Sequence, residues 1–387
     1  MGETDRFPEF RDLLTDLVGI ETENPPGNEG ACSEYIVEWF DRREVEARLV
    51  TEPYPDRPQA VATIGEGEPT LVLNGHTDVV PADANEWEHD PYGPTIENGR
   101  LYGRGSTDMK AGLALAMMTA VRLRDPIERS ELSGSVIVHA AIGEETAEPG
   151  TKALVEAGYD GDYGVVLEPT EFRVATSEKG LAWYEITVSG EPSHASRPDQ
   201  GSNAVRNAES VLAALAAYDR RVRDRHDDLV GRAYATVTAF AAGVDTNKGV
   251  IPGNARLALD RRFLPEESAP EIDHELDEVL AAVEAEHDIE TAWTRTQTYE
   301  SAAVPVDCHL ATVFREHADT VAGVPTDPLG TKASSDVRNL INDAGMEAIV
   351  WGPGDNDQAH IRDEYVDLDS AAVGLDVLEA AAHDLLS

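Results

Sequence analysis

Histidines and acidic residues follow several apolar runs of the chain, each at the point where a strand is predicted to end. The side chains placed in this way are His76, Asp78, Glu144, Glu145, Glu168 and, after a longer glycine-rich loop, His360. Asp108 joins them because it follows a Gly-Arg-Gly segment and leads into a predicted helix. In an open parallel sheet, ligands bind just beyond the carboxyl ends of the strands. We therefore expect two imidazoles and several carboxylates to meet at one edge of one sheet.

Imidazoles and carboxylates together form the mixed nitrogen and oxygen ligand set that suits zinc, with cobalt and manganese as substitutes. The acidic groups are too numerous for one ion, and they would repel one another if no cation lay between them. A pair of divalent ions that share a bridging carboxylate would account for their number. Such a pair would polarise a carbonyl group and lower the pKa of a shared water molecule.

Each of these residues, taken alone, also has a simpler interpretation that involves no metal. A His-x-Asp sequence after a strand is often a hydrogen-bonded turn, and the adjacent Glu144 and Glu145 are typical of a solvated surface pair. Asp108 could cap the N-terminus of the following helix, and His360 could be an ordinary loop histidine. The repeated placement at strand ends favours the metal site.

The elements that would position these side chains are helices alternating with apolar strands. The runs at 70–74, 135–142, 164–167 and 348–351 are typical of strands buried on both faces of a sheet. This order predicts the α/β class, with a mostly parallel sheet flanked by helices. We also predict a helix over residues 335–344.

The middle of the chain has a different order of elements. Between residues 181 and 295 the pattern predicts strand, helix, strand, strand, helix and strand, with Ser202 as the cap of the first helix. This order is the ferredoxin-like α+β arrangement. We therefore predict a catalytic domain in two parts, residues 1–177 and 297–387, with an inserted domain of residues 178–296.

The composition narrows the class of protein. The chain has 387 residues and a net charge of −43, with 41% hydrophobic residues, which suits a folded protein of more than one domain. Nucleic acid is a poor partner for so acidic a surface. Only five lysines occur, and an acidic, lysine-poor chain resembles proteins of microbes that keep molar salt in the cytoplasm, where charge repulsion is screened. An ordinary acidic protein of a mesophile is the alternative.

Neither the cysteines nor the chain start indicates export. Cys32 and Cys308 are the only cysteines, which leaves room for at most one bridge and no disulfide framework. No basic segment is followed by an apolar run near the start, and no window holds 18 apolar residues. We therefore expect no membrane partner and a cytoplasmic location. The segment 103–105 lacks the glycine spacing of a phosphate-binding loop.

Several segments together resemble one family, the dinuclear zinc hydrolases. They are Gly75-His76-Thr77-Asp78-Val79-Val80-Pro81, Leu101-Tyr102-Gly103-Arg104-Gly105-Ser106-Thr107-Asp108-Met109-Lys110, Glu144-Glu145, Leu167-Glu168-Pro169-Thr170, Pro192-Ser193-His194-Ala195-Ser196-Arg197-Pro198 and Gln358-Ala359-His360. The family includes acetylornithine deacetylase, succinyl-diaminopimelate desuccinylase, aminoacylase and glutamate carboxypeptidase. The resemblance spans nearly the full chain in the right order. It implies a zinc-exopeptidase-like fold whose inserted domain is a lid and dimerisation domain.

The resemblance also implies a role for each residue at the sheet edge. One metal ion would be held by His76 and Glu168, the other by Glu145 and His360, and both by Asp108. Glu144 would be the general base, and Asp78 would fix the imidazole of His76 from the same side of the strand.

In the inserted domain, the resemblance implies that His194 helps to stabilise the oxyanion, commonly across a homodimer interface. Asn247 and Arg262 resemble substrate contacts, and Arg261 could fill the role of Arg262. Arginine suits a substrate carboxylate because its fork gives two parallel hydrogen bonds. The segment 330–338 keeps a Ser-Asp-x-Arg core, but its lead-in departs from the family pattern, which bears on the substrate end group that is recognised.

The function predicted on this basis is hydrolysis of the amide bond of an N-acyl amino acid, of the acetylornithine deacetylase or succinyl-diaminopimelate desuccinylase type. A metal-bound water would attack the carbonyl, with Glu144 as the general base. A carboxypeptidase or dipeptidase of the same family is the alternative. An alternative of another class is a catalytically silent binding protein with this fold, but the presence of Glu144 and Asp108 disfavours it.

Overall fold

A computed structural model of the chain describes residues 8–243 and 247–387, which fall into two compact units. The first unit holds the chain up to Thr176 together with Ala303–Leu329 and Ser335–Ser387. The second unit holds Ser177–Ala302 and Gly330–Ser334. The domains predicted from the sequence, 1–177, 178–296 and 297–387, stay predictions.

The first unit is built around a sheet whose centre is parallel, which confirms the predicted α/β class. In spatial order the first six strands of this sheet are Glu46–Val50, Gln59–Gly65, Ser135–Ala141, Thr70–His76, Tyr163–Val166 and Glu347–Val350. The last four of these run parallel to one another, and Gln59–Gly65 runs antiparallel to both of its neighbours. Every residue of Ser135–Ala141 is buried, as expected for a central strand covered on both faces.

Helices and short elements complete this unit. The helices are Pro8–Val18, Gly30–Asp41, Lys110–Glu128, Gly150–Glu156, His309–His317 and Leu368–Leu385, with π-helical turns at Ala318–Ala322 and Asn339–Asp343. A three-stranded sheet is formed by Thr95–Glu97, Arg100–Tyr102 and Tyr365–Asp367. The short strands Ala175–Glu178, Ala302–Ala303 and Leu329–Thr331 lie where the chain passes between the units.

The helix Lys110–Glu128 brings its N-terminus close to the edge of the sheet. A Cβ on Gly112 would lie 2.1 Å from the main-chain oxygen of Leu167, so only glycine permits this approach. Most of the helix is buried in the main core. This packing places Asp108, just before the helix, beside Glu168, just after Leu167.

The second unit has the ferredoxin-like arrangement predicted from the order of its elements. Its antiparallel sheet has the spatial order Tyr234–Ala242, Asn254–Phe263, Gly180–Ser189 and Thr291–Tyr299, and its helices are Ala204–Val222 and Ala269–His287. Two short ladders pair Ser193–His194 with Val250–Ile251 and His226–Asp227 with Gly231–Arg232. Buried residues recur at helical spacing along Ala204–Val222, which explains why this helix packs by one face.

Two local expectations are corrected, and the open question of a disulfide is answered. Asn203 rather than Ser202 caps the helix Ala204–Val222, because its side chain accepts a hydrogen bond from the N–H of Val205 at 2.9 Å. The helix predicted over 335–344 is present over residues 337–343, and its last part is the π-helical turn Asn339–Asp343. Cys32 and Cys308 are both free and buried, so no bridge joins them.

No helix within residues 8–243 and 247–387 has the length and apolar character that a membrane span requires.

Candidate metal centre

Strand ends and tight turns position the acidic and imidazole side chains of the first unit. His76 is the last residue of Thr70–His76, and Glu168 follows Tyr163–Val166 by two residues. Glu144 and Glu145 follow Ser135–Ala141 after Gly143, whose φ of +78° lets the chain turn sharply. The carboxyl ends of parallel strands therefore deliver these groups to one edge, as expected from the sequence.

A first group of ligand atoms is formed by His76, Asp108 and Glu168. The Nε2 atom of His76 lies 3.2 Å from Oδ1 of Asp108 and 3.4 Å from Oε1 of Glu168. The imidazole is almost completely buried. The three side chains can therefore present one nitrogen and two oxygens to a single cation.

A second group is formed by Asp108, Glu145 and His360. The Nε2 atom of His360 lies 2.9 Å from Oε2 of Glu145 and 3.2 Å from Oδ2 of Asp108. Within each group the ligand atoms lie within 4.8 Å of one another. Asp108 contributes one carboxylate oxygen to each group, so the two groups adjoin and share this residue.

The residues present fit divalent cations. The side chain of Glu145 is only 4% exposed, yet its Oε1 atom has no hydrogen-bond partner. A buried carboxylate oxygen without a partner is costly, and a bound ion is one of the few features that explain it. The mixed nitrogen and oxygen donors are those of zinc, cobalt or manganese sites.

The comparisons with known proteins identify the family of the chain. The model of Peptidase family M20/M25/M40 matches residues 72–384, which is most of the chain. The chain belongs to this family. As a member of the M20 family it is a metal-dependent hydrolase, which confirms the predicted class of enzyme.

Three similar proteins cover nearly the whole of this M20 hydrolase. The chain is 27% identical over 400 residues to a probable succinyl-diaminopimelate desuccinylase of Staphylococcus aureus strain N315, covering 96% of each protein. It is 26% identical over 388 residues to an acetylornithine deacetylase of Proteus mirabilis strain HI4320, covering 94% of this chain and 93% of that one. A solved M20 family metallo-carboxypeptidase of Sulfolobus solfataricus shares the fold, with a TM-score of 0.79, 18% identity, and coverage of 97% and 98%.

Burial and mutual repulsion raise the pKa values of Glu145 and Glu168, whereas hydrogen bonds from His360 and His76 outweigh burial and lower the pKa of Asp108. Burial, together with the charge of Asp108, raises the pKa of Glu168 to about 7. Hydrogen bonds to Asp108 and Glu145 raise the pKa of His360 to about 10. Burial alone would lower the pKa of His76, but its hydrogen bonds to Asp108 and Glu168 outweigh burial and raise it. In the absence of cations, protons on the two imidazoles therefore offset the carboxylate charges.

We expect the affinity for divalent ions to rise with pH, because a cation must displace these protons. At pH 7 the imidazole of His360, with its pKa near 10, holds a proton in the metal-free protein, and below about pH 7 Glu168 holds one as well. Calorimetric titration with Zn²⁺ between about pH 6 and about pH 9, in buffers of different ionisation enthalpy, should show tighter binding at higher pH and release of protons. Affinity that is independent of pH, without proton release, would contradict this electrostatic account.

The imidazole of His76 is held by main-chain rather than side-chain atoms of Asp78. Its Nδ1 atom lies 2.9 Å from the main-chain oxygen of Asp78, whereas the carboxylate is 3.6 Å away. The carboxylate of Asp78 instead accepts hydrogen bonds from the N–H groups of Glu144 and Glu145, at 3.3 and 3.2 Å. Asp78 therefore fixes the turn that carries these two glutamates, in addition to the ring of His76.

Asn24 supports this turn and was missed from the sequence, where the segment 24–27 indicates only the end of a helix. Its Nδ2 group donates to Oδ2 of Asp78 at 3.0 Å and lies 2.8 Å from Oγ1 of Thr146. Asn24 and Asp78 are both buried. The pattern Asn-Pro-Pro-Gly gives no sign of a contact 54 residues away.

Glu144 belongs to neither ligand group, although it adjoins both. Burial raises its pKa well above the usual value against the opposing charge of His76, and the charge of Glu168 adds to the rise. Arg338 Nη1 lies 3.9 Å from Glu144 Oε1, and Arg338 also adjoins Asp336. A buried carboxyl group with a raised pKa next to a cation site has the properties of a general base.

The residues predicted in the inserted domain all lie in the second unit. The Nδ1 atom of His194 accepts hydrogen bonds from the N–H and the hydroxyl of Ser196, at 3.1 and 2.8 Å. Asn247 is exposed and follows residues 244–246, which lie outside the described part of the chain. Arg262 pairs with Asp260 at 2.9 and 3.1 Å and keeps 34% of its side chain exposed.

Arg261, the alternative to Arg262, is enclosed in the core of the second unit. Its side chain is 0% exposed and pairs with Glu267, while its Nε donates to the hydroxyl of Tyr218 at 3.1 Å. Neighbouring residues of a strand point to opposite faces, so only one of the two arginines is accessible. This contact set favours Arg262 as the residue available for a ligand.

Proposed function

We propose that this M20 hydrolase cleaves the amide bond of an N-acyl amino acid, of the acetylornithine deacetylase or succinyl-diaminopimelate desuccinylase type. The observation that carries the proposal is the buried carboxyl group of Glu144 beside two ligand groups that share Asp108. The two relatives with these names are similar over nearly their full length, which supports the acyl-amino-acid class.

In the proposed enzyme, His76 and Glu168 hold one divalent ion, Glu145 and His360 hold the other, and Asp108 contacts both. Zinc is the first choice, and cobalt and manganese are the substitutes. When bound, the ions polarise the substrate carbonyl and make water a better nucleophile at neutral pH.

Glu144 moves the proton in this proposal. Its carboxylate takes a proton from the attacking water and later delivers it to the leaving nitrogen of the amide. Its carboxyl group is buried beside the ligand groups, where it can hold the proton between the two steps. The N–H of Glu144 donates to Asp78, which keeps the side chain next to the ligand groups.

The second unit supplies substrate contacts in this proposal. Arg262 binds the α-carboxylate of the substrate, Asn247 contacts the substrate, and His194 stabilises the oxyanion across a homodimer interface.

Among the described residues, the strand Tyr234–Ala242 pairs on one side only, and residues 238–241 are exposed. An open strand edge is a ready surface for a second copy of the chain. Light scattering after size exclusion tests the dimer, and a monomer at micromolar concentration would contradict it.

A substrate panel tests the proposed reaction. With metals restored, we expect kcat/KM for N-acetylornithine or N-succinyl-diaminopimelate to exceed that for dipeptides by at least about tenfold, a difference of about 1.4 kcal/mol in transition-state binding. The reverse order would favour the alternative, a carboxypeptidase or dipeptidase of the same family. Two bound ions without turnover of any substrate would favour a silent binding protein.

We also infer that the enzyme is adapted to high salt, as its net charge of −43 suggests. Lowering the salt concentration lengthens the Debye length from about 3 Å at 1 M to about 30 Å at 0.01 M, so repulsion between surface carboxylates grows. We therefore expect activity and melting temperature to fall together as KCl is removed. Full activity and an unchanged melting temperature in dilute buffer would contradict this inference. The cytoplasmic location stays a prediction.

A further inference from the structure

Glu364 is a buried carboxylate that belongs to neither ligand group and has no part in the proposed chemistry. Its side chain is 0% exposed, and it follows His360 by four residues. Its two oxygens accept four hydrogen bonds, and all four donors belong to the segment 104–108. A single side chain therefore joins the part of the chain that carries His360 to the part that carries Asp108.

Three of the four hydrogen bonds that Glu364 accepts come from main-chain N–H groups at or near Asp108, the residue that the two ligand groups share. Its Oε1 atom accepts hydrogen bonds from the N–H groups of Thr107 and Asp108, at 2.8 and 3.0 Å. Its Oε2 atom accepts from the N–H of Gly105 at 3.0 Å and from Nη1 of Arg104 at 2.7 Å. The buried guanidinium of Arg104 compensates the carboxylate charge, and both oxygens of Glu364 are paired.

His360 itself lies in an irregular and accessible part of the chain. Its side chain is 53% exposed, and its φ is +62°, a conformation that few residues other than glycine adopt. Regular structure resumes only at the strand Tyr365–Asp367, which pairs with Arg100–Tyr102. Glu364 lies between this strand and His360. Its hydrogen bonds therefore fix the end of the segment 360–364 that adjoins the strand.

We propose that Glu364 is a positioning residue that holds His360 and Asp108 at the separation needed to share one cation. This inference rests on the proposed metal centre. The other ligand group depends less on Glu364, because His76 and Glu168 are placed by strands of the main sheet. Loss of Glu364 therefore lowers the affinity for the cation held by Asp108, Glu145 and His360 more than the affinity for the cation held by His76 and Glu168.

The substitution Glu364→Gln tests this proposal with little change of shape. A carboxamide places an NH2 group against N–H donors and removes the charge that pairs with Arg104. We expect stepwise Co²⁺ titration, followed by absorption spectroscopy, to show one ion bound roughly 10- to 100-fold more weakly, and the other changed by less than about threefold. Excess Co²⁺ should restore kcat, because Glu144 and all five ligands are intact.

Two controls separate positioning from general loss of stability. Leu378→Ala, a buried position in the helix Leu368–Leu385, should lower the melting temperature but leave both Co²⁺ affinities unchanged. In a His360→Ala background, Glu364→Gln should have little further effect on the ion that still binds. If Glu364→Gln does not fold, Glu364→Asp keeps the charge on a shorter side chain and should weaken the same ion.

The outcomes distinguish the inference from the proposed centre. Wild-type protein that binds two Co²⁺ ions, with unchanged affinities in the Glu364 variants, would overturn the positioning role and leave the metal centre standing. Equal weakening of both ions, as for a general disturbance, would also overturn it. Wild-type protein that binds fewer than two ions would overturn the centre and the inference with it.

Discussion

Replacement of Glu144 by glutamine is expected to lower kcat at least about a hundredfold, the contribution typical of a general base. Glutamine matches the size of glutamate but cannot accept a proton from water at neutral pH. The protein should keep two metal ions per chain, because Glu144 belongs to neither ligand group. Steady-state kinetics and metal analysis on the same preparation measure both quantities.

Glu66→Gln is the matched control, since it makes the same chemical change at an exposed loop position. It should leave kcat and metal content unchanged. Normal turnover by Glu144→Gln would contradict the assignment of Glu144 as the base. Loss of both ions in this variant would instead indicate that Glu144 is a ligand.

Replacement of Asp108 by alanine is expected to disrupt both ligand groups at once. One of its carboxylate oxygens lies 3.2 Å from Nε2 of His76, and the other lies 3.2 Å from Nε2 of His360. Asp108 is the one residue that the two ligand groups share. We expect the metal content to fall from about two ions per chain to less than one. Loss of a residue that only supports a metal ligand lowers activity by up to roughly a hundredfold. Because Asp108 is itself a predicted ligand in both groups, its loss should lower activity by more than this.

The control is Asp160→Ala, which removes an exposed aspartate of the same unit. This variant should bind two ions and keep full activity. If Asp108→Ala also retained both ions with normal affinity, Asp108 would not be the shared ligand. Circular dichroism of each variant checks that the fold is kept.

The parallel strands were predictable because burial on both faces leaves a continuous apolar run. Thr70–His76 and Ser135–Ala141 are such runs, and the polar residues at their ends mark the edge of the sheet. The sequence therefore indicated where His76, Glu144 and Glu145 would meet. The bounds of these strands needed only small changes.

Contacts between distant segments leave no such pattern. Glu364 accepts from the N–H of Asp108 across 256 residues, and Asn24 reaches Asp78 across 54. Their neighbours in the sequence show only a charged run and a turn. Because spacing reports which face of an element a residue occupies, and not its partner in another element, these supporting residues emerged only from the structure.

Local polar contacts also set where a helix begins. The residues 335–344 have the apolar spacing of a helix, and residues 337–343 are helical, with Ser335 and Asp336 outside the helix. Oδ2 of Asp336 accepts a hydrogen bond from the hydroxyl of Thr151 at 2.6 Å, and both residues are buried. This contact satisfies the carboxyl group just before the helix, which begins two residues later than the spacing predicts.

The most direct test of the account is a crystal structure of the protein loaded with Zn²⁺ or Mn²⁺, with anomalous difference maps. We predict two peaks, one about 2.0–2.2 Å from the ligand atoms of His76 and Glu168 and one equally close to those of Glu145 and His360. Asp108 should contact both. A single peak, or peaks away from these side chains, would contradict the shared metal centre.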